Sequence, residues 1–461
     1  MLFLFATEAR PEDLLILDAR VIDGTGSAPR PGVFILVRDG RIAEIGAGIS
    51  APRARSLDAE GATVLPGLID SHVHLSVIPG TVQRGDSPEA TAELRRAHLR
   101  GYLGAGVTTV LDTGIDVATG REVQGWLAAG HPGPSFLTLE PPLPTPGGYM
   151  AQWAPQTTVS SPAELDAAFD VIQGVGPVGV KVPIEKGFVQ EIWPIHPPEM
   201  RAAIAREARE RGLPIYVHAS SEDEQRIGLE MGAHALVHLD FYGRAPSREF
   251  VDLVLARKAF VMTTFSIMDA ELTRWHPERL DDALIELVVP EAERRTARDP
   301  EAARFMVEEE VGLAVPWLPR WLRGPVARWF VDEEGFRDAL ASSQRAAKQL
   351  HDAGVPLVVG SDAGNWPILP YQFHATSTHR ELELLAEAGV PPQDVLAAAT
   401  RVPARMLGRE NEIGTLEVGK RADLVVVDGD PLSDLRALRR IRWTVKDGVA
   451  RTPREWLSAS P

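Results

Sequence analysis

Cysteine is missing from all 461 residues, which excludes disulfides, thiolate metal ligands and a cysteine nucleophile. Any bound metal must then be held by His, Asp, Glu or Lys. A basic balance is missing too. The formal charge of −16 argues against nucleic acid, whose phosphates need a basic face, and against an anionic membrane surface. Long apolar runs are also scarce. The opening Met1-Leu2-Phe3-Leu4-Phe5 is too short for a signal h-region and lacks a basic flank, and no later run approaches a membrane span. The expected compartment is the cytoplasm, or the periplasm or exterior if a signal peptide has been removed. The expected partner is a small-molecule substrate rather than nucleic acid, and a homo-oligomer is expected.

What is present is most informative between Leu65 and Leu75, where the hydrophobic run LPGLIDSHVHL ends on His72 and His74. Residues two apart on an extended strand share a face, so two imidazoles there converge and make half of a metal site. Alone, such a pair could equally be two packed histidines at a strand end. Pro66, Gly67 and Asp70 beside it, and further ligand-type residues downstream, make it part of a set.

Residues 12–64 read as short strands and turns, with Asp39-Gly40 as a hairpin signal, and the chain end repeats the pattern with Asp447-Gly448. Two β-rich ends around a long middle predict one small β-sandwich domain assembled from both termini, spanning 1–66 and 409–461. Between them, 67–408 alternates strand-like runs with helical patterns, the signature of parallel βα units. Eight strands are expected: VLPGLIDSHVHL, TTVLDTG, SFLTLEP, GVKVPI, PIYVHAS, ALVHLDF, AFVMTTF and PLVVGSDAG. The predicted fold is therefore α/β, a (β/α)8 TIM-like barrel, with a Trp-containing helical insertion at about 266–342 acting as a lid or an oligomer contact.

Active sites of that fold lie at the C-terminal ends of the strands. Lys181 falls in the fourth strand, His218 closes the fifth, His238 the sixth and Asp362 the eighth. Each is polar where a core position would be aliphatic. With His72 and His74 they make six residues aimed at one barrel mouth.

The chain here resembles the amidohydrolase superfamily of metal-dependent hydrolases, in its imidazolonepropionase-like and Xaa-Pro dipeptidase-like branch. The resemblance rests on LPGLIDSHVHL at the start and on ATRVPARMLGRENEIGTLEVGKRADLVVVDGDPL near the end. It implies that His72, His74 and Asp362 bind one divalent metal, that His218 and His238 bind a second, and that Lys181 bridges both after carboxylation by CO2. A carbamate supplies the two anionic oxygens that an amine cannot. Two Zn2+ ions are expected from the nitrogen and oxygen donors, with Mn2+, Co2+ or Fe2+ as alternatives. The implied chemistry is attack by a shared hydroxide on a polarised carbonyl, with Asp362 passing the proton to the leaving nitrogen.

Two departures from the branch bear on specificity. Gly147-Gly148-Tyr149 stands where the branch often has Gly-Gly-His, so a phenol that carries no positive charge replaces an imidazole. Val237-His238-Leu239 stands where relatives commonly have Glu-His-Gly, so support of that ligand is expected to differ. Tyr149, Trp153, Tyr242, Trp366, His374 and His379 are the expected substrate contacts, forming a rim that prefers apolar or aromatic groups. The expected activity is hydrolysis of an amide or peptide-like C–N bond in a small, partly apolar molecule such as an N-acyl amino acid or dipeptide. A lactone or ester on the same site, or a scaffold without metal, are the competing readings.

Overall fold

The computed structural model describes residues 12–461 apart from 115, 140, 188–190, 241–243, 316, 328 and 330. Both ends of the chain build one sheet. Its strands run in the order Val449–Arg451, Ile441–Lys446, Leu424–Val427, Thr63–Pro66, Leu14–Val21, Arg30–Arg38 and Arg41–Gly46, with Arg55–Asp58 also pairing with Leu14–Val21. Both Asp-Gly signals are tight hairpin turns. Asp39 and Gly40 have φ of 48° and 72°, and Asp447 and Gly448 have 50° and 83°, the doubly positive pattern that glycine tolerates without strain. The two tips abut, and a Cβ on Gly40 would lie 2.9 Å from the Asp447 carbonyl oxygen.

The expected sandwich is instead a single rolled sheet. The Ile42 amide donates to Lys420 O at 2.9 Å and the Gly419 amide donates to Ile42 O at 2.8 Å, so the Arg41–Gly46 edge returns toward the strand at Leu424. Sheet twist and one apolar inner face permit this. Ile16, Ile35, Val64, Leu424, Val426 and Val445 fill the roll.

Among the described residues, the middle of the chain has eight parallel strands in two sheets. The first three are Leu68–Val73, Val107–Asp112 and Ser135–Thr138; the other five are Val180–Pro183, Ile215–His218, Ala235–Val237, Phe260–Thr263 and Leu357–Val359. Apart from Ser135–Thr138, whose first three residues are only partly buried, these strands are buried on both faces, which is why they read as largely apolar runs. At one seam the sheets meet through the parallel bridge Val73–Ala363. At the other, the Val178 amide donates to Thr138 O at 2.9 Å and the Leu143 amide to Lys181 O at 2.8 Å.

A helix follows each strand: Pro88–Gly104, Val117–Ala128, Leu165–Gln173, Pro198–Glu210, Glu222–Glu230, Arg248–Arg257, Glu333–Asp352 and Thr376–Glu387. Among the described residues, five further α-helices between Ser266 and Ala327 interrupt the seventh unit. The expected insertion boundary at Ser342 falls inside Glu333–Asp352. That helix packs on the core through Leu340, Ser343, Ala346, Ala347 and Leu350, a stripe at helical spacing. The insertion's outer end carries Trp317, Trp321 and Trp329, which are 81 %, 77 % and 74 % exposed. Among the described residues no helix is long and apolar enough to cross a membrane.

Candidate metal centre

Strand one ends in a backbone clasp with the loop after strand eight. The Asp362 amide donates to His72 O and the His74 amide to Ala363 O, both at 2.8 Å. The clasp brings the three side chains together: His72 Nε2 lies 3.1 Å from His74 Nε2, and Asp362 Oδ1 lies 3.2 and 2.8 Å from the two nitrogens. Asp70 braces it from behind, accepting from the His72 and Ser361 amides at 3.2 and 3.0 Å and from the Thr378 hydroxyl at 2.6 Å. Gly114 leaves room for the ring, because a Cβ there would sit 2.4 Å from His74 Nδ1.

Facing this trio, His218 Nδ1 and His238 Nε2 lie 3.0 Å apart. Lys181 is 1 % exposed, and its Nζ donates to Thr113 Oγ1 at 3.3 Å. His238 and Asp362 have φ of 78° and 53°, left-handed conformations that cost non-glycine residues on the order of 1–3 kcal/mol each and gather at functional sites. Burial, and then the neighbouring Lys181, pull His72 and His218 well below the usual imidazole range. His238 is lowered as well, by burial and then by His218.

The donor set fits divalent metals. Nitrogens at 3.0 and 3.1 Å approach the edge of about 3.3 Å set by tetrahedral bonds of about 2.05 Å. A facing pair of neutral imidazoles can share one N–H···N contact, but with both protons on the outer nitrogens two lone pairs face a shared point, the form a cation takes. Asp362 Oδ1 is buried without an accepted hydrogen bond, although both Nε2 atoms of the trio are near; the angles are wrong for hydrogen bonding but suit convergence on a shared cation.

Above His218 stands an aromatic wall. Tyr149 lies 4.7 Å from the His218 ring and 4.9 Å from Trp193, while Trp153 meets Tyr149 edge-on at 6.1 Å and is 56 % exposed. Burial holds the Tyr149 phenol up, so it stays protonated. Trp366 is half-buried against the core, and Tyr242 lies outside the described residues. Two expected contacts are elsewhere. His374 is buried between the Tyr102 hydroxyl at 2.9 Å and Val77 O at 3.1 Å, with its ring on His98. His379 Nε2 meets Ala105 O at 2.7 Å, beside the start of strand two and so at the opposite end of the parallel strands. Both follow strand eight in sequence, but the turn into Thr376–Glu387 rotates them into packing.

Three neighbours escaped sequence reading. Thr264 Oγ1 lies 2.8 Å from His238 Nδ1, Glu185 Oε2 lies 3.5 Å from His218 Nε2, and Trp193 joins the wall. Their only signal was position just beyond a strand end.

Known proteins resemble this chain along most of its length. A model of the amidohydrolase family matches residues 63–450. The chain is 25 % identical to a 5-methylthioadenosine/S-adenosylhomocysteine deaminase of Symbiobacterium thermophilum, over 91 % of this chain and 86 % of that one. It is 26 % identical to an imidazolonepropionase of the same organism, over 91 % of each chain. A solved Xaa-Pro dipeptidase with methionine in its active site superposes with a TM-score of 0.72 at 22 % identity, covering 95 % of this chain and all of that one.

Proposed function

The chain belongs to the amidohydrolase family, hydrolases of C–N bonds, and from that premise we propose that it cleaves an amide or peptide-like bond in a small substrate bearing an apolar or aromatic group. N-acyl amino acids and dipeptides are the class proposed. The observation that carries this is the convergence of four imidazoles and Asp362 around buried Lys181, beneath the Tyr149 and Trp193 wall. We read the two parallel sheets as one (β/α)8 barrel whose mouth holds this group.

His72, His74 and Asp362 would hold one divalent ion, and His218 and His238 a second. Lys181, carboxylated on Nζ, would stand between them, and zinc suits the donors best. Such ions supply an acidified water and a polarised carbonyl. Asp362 accepts the proton of the attacking water on a carboxylate oxygen and delivers it to the leaving nitrogen. The Thr264 hydroxyl holds the far nitrogen of His238, and the aromatic wall covers the apolar part of the substrate and keeps water from it. The Tyr149 phenol carries no charge, which favours a neutral group on that side.

The test is a panel of N-acyl amino acids and dipeptides, with and without aromatic groups, beside matched esters, lactones and aminopurines, on Zn2+-loaded protein. Preferential cleavage of aromatic amides supports the reading. Turnover confined to esters or lactones, or ammonia release from aminopurines alone, overturns it.

A further inference from the structure

Resting on that binuclear reading, we propose that Glu185 is a positioning residue: it fixes the tautomer and ring orientation of His218, so that Nδ1 is the nitrogen presented beside His238 Nε2. His218 closes the fifth strand with its two nitrogens facing different surroundings. Nδ1 lies 3.0 Å from His238 Nε2, on the side of the candidate ion. Nε2, on the other side of the ring, is buried and without a hydrogen-bond partner, and Glu185 Oε2 lies 3.5 Å from it.

The Glu185 carboxylate is held in place from the loops after strands four and five. Its Oε1 accepts from the Gly187 amide at 2.8 Å, and its Oε2 from the Ser220 hydroxyl at 2.5 Å. The adjacent Glu224 ties the same loops, accepting from the Lys186 amide at 2.8 Å and the Ser221 amide at 3.1 Å. A carboxylate oxygen has two lone pairs, so Oε2 keeps one for a second donor. The nearby donor in need of an acceptor is His218 Nε2. A shift of about half an ångström converts the approach into a hydrogen bond of ordinary length. Once Nε2 carries the proton, Nδ1 must carry the lone pair, which is the form a cation requires. His238 has the parallel device in Thr264, 2.8 Å from its Nδ1.

A purely structural Glu185 would brace the two loops and leave His218 unaffected. Nitrogen–proton correlation spectra of metal-free full-length protein, with the His218 signals identified by their loss in His218→Asn, read the tautomer directly. The Nε2–H form is expected in the wild type and a mixed population in Glu185→Ala. Titration with Zn2+ alone should show the second equivalent weakened about 10- to 100-fold in Glu185→Ala, with the first retained. Glu185→Gln, whose amide oxygen still accepts, should recover most of that loss. An Nδ1–H wild-type His218 overturns the proposal even if neither Glu185 variant folds, and so does a Glu185→Ala protein with unchanged tautomer and unchanged second equivalent. Wild-type protein that takes up only one equivalent overturns the binuclear reading instead, while the tautomer still decides the role of Glu185.

Discussion

Between His72 and His74, and again between His218 and His238, imidazole nitrogens face imidazole nitrogens at 3.1 and 3.0 Å. A second buried group lies nearby, where His98 and His374 stack at 4.2 Å. There the nitrogens face groups of complementary kind: Glu293 at 2.5 Å from His98 Nε2, the Tyr102 hydroxyl at 2.9 Å and Val77 O at 3.1 Å from His374. Burial pushes Glu293 up to about 8 and pulls His98 down to about 3. At neutral pH the pair is therefore a carboxylic acid donating to a neutral imidazole. Both groups are buried, with four histidines in the first and two in the second. What separates the packed cluster from the candidate metal centre is that its contacts run to a carboxyl, a hydroxyl and a carbonyl rather than from one imidazole to another, although His98 Nδ1 itself has no partner.

The largest effect should come from the first group. Lys181→Ala removes the residue placed between the two half-sites, and metal analysis should show loss of bound ion together with loss of hydrolysis. Short carboxylic acids in solution should restore part of both. An alanine variant that binds two ions and turns over unaided would break the comparison at its centre. Asp362→Asn should keep most of the metal, since an amide oxygen still coordinates, yet lower kcat by about 10²- to 10⁴-fold, because it accepts no proton. Near-normal turnover would remove Asp362 from proton transfer.

Glu293→Gln probes the second group, and its effect should be on stability alone. Folded Glu293 holds its proton to about pH 8, whereas the unfolded carboxyl loses it near 4.5. The unfolded chain thus binds fewer protons across that span, and stability falls as pH rises. His98 works oppositely between about 3 and 6.5, where only the unfolded imidazole is protonated. The two cancel where they overlap, leaving a fall on the order of 1–2 kcal/mol between about pH 6.5 and 8. Urea midpoints across that range should decline in the wild type and stay flatter in Glu293→Gln, at equal metal content. Identical profiles would mean that the pair holds no extra proton in the folded state across this range.

The smallest effect belongs to the insertion's outer end, whose exposed tryptophans should touch neither group. Trp321→Ser with Trp329→Ser should leave metal content unchanged and stability within about 0.5 kcal/mol, as expected for exposed positions. A change in sedimentation mass or in substrate preference would identify that surface as a subunit contact or a lid. Loss of metal would join it to the barrel core.

Much of the site was legible because strand geometry is local. His72 and His74 share a face by alternation, and Lys181, His218, His238 and Asp362 stand out as polar residues where apolar strands end. The parallel strands were legible for the same reason, since burial on both faces leaves a largely apolar run. The rolled sheet was not, because alternation is equally compatible with one curled sheet or two stacked ones; the bonds of Ile42 to Gly419 and Lys420 join residues far apart in sequence. His374 and His379 misled because loop position says which strand a residue follows but not which way a turn rotates it.

The sequence by itself therefore determined the residue types, their strand ends and, through them, the chemistry of a metal-dependent hydrolase. Tertiary structure alone decided what faces each side chain. Glu185 reaches His218 across two loops, Tyr149 lies over the same ring, and Glu293 comes from the insertion to His98. Each of these partnerships depends on long-range packing, and periodicity along the chain carries no record of distance across it.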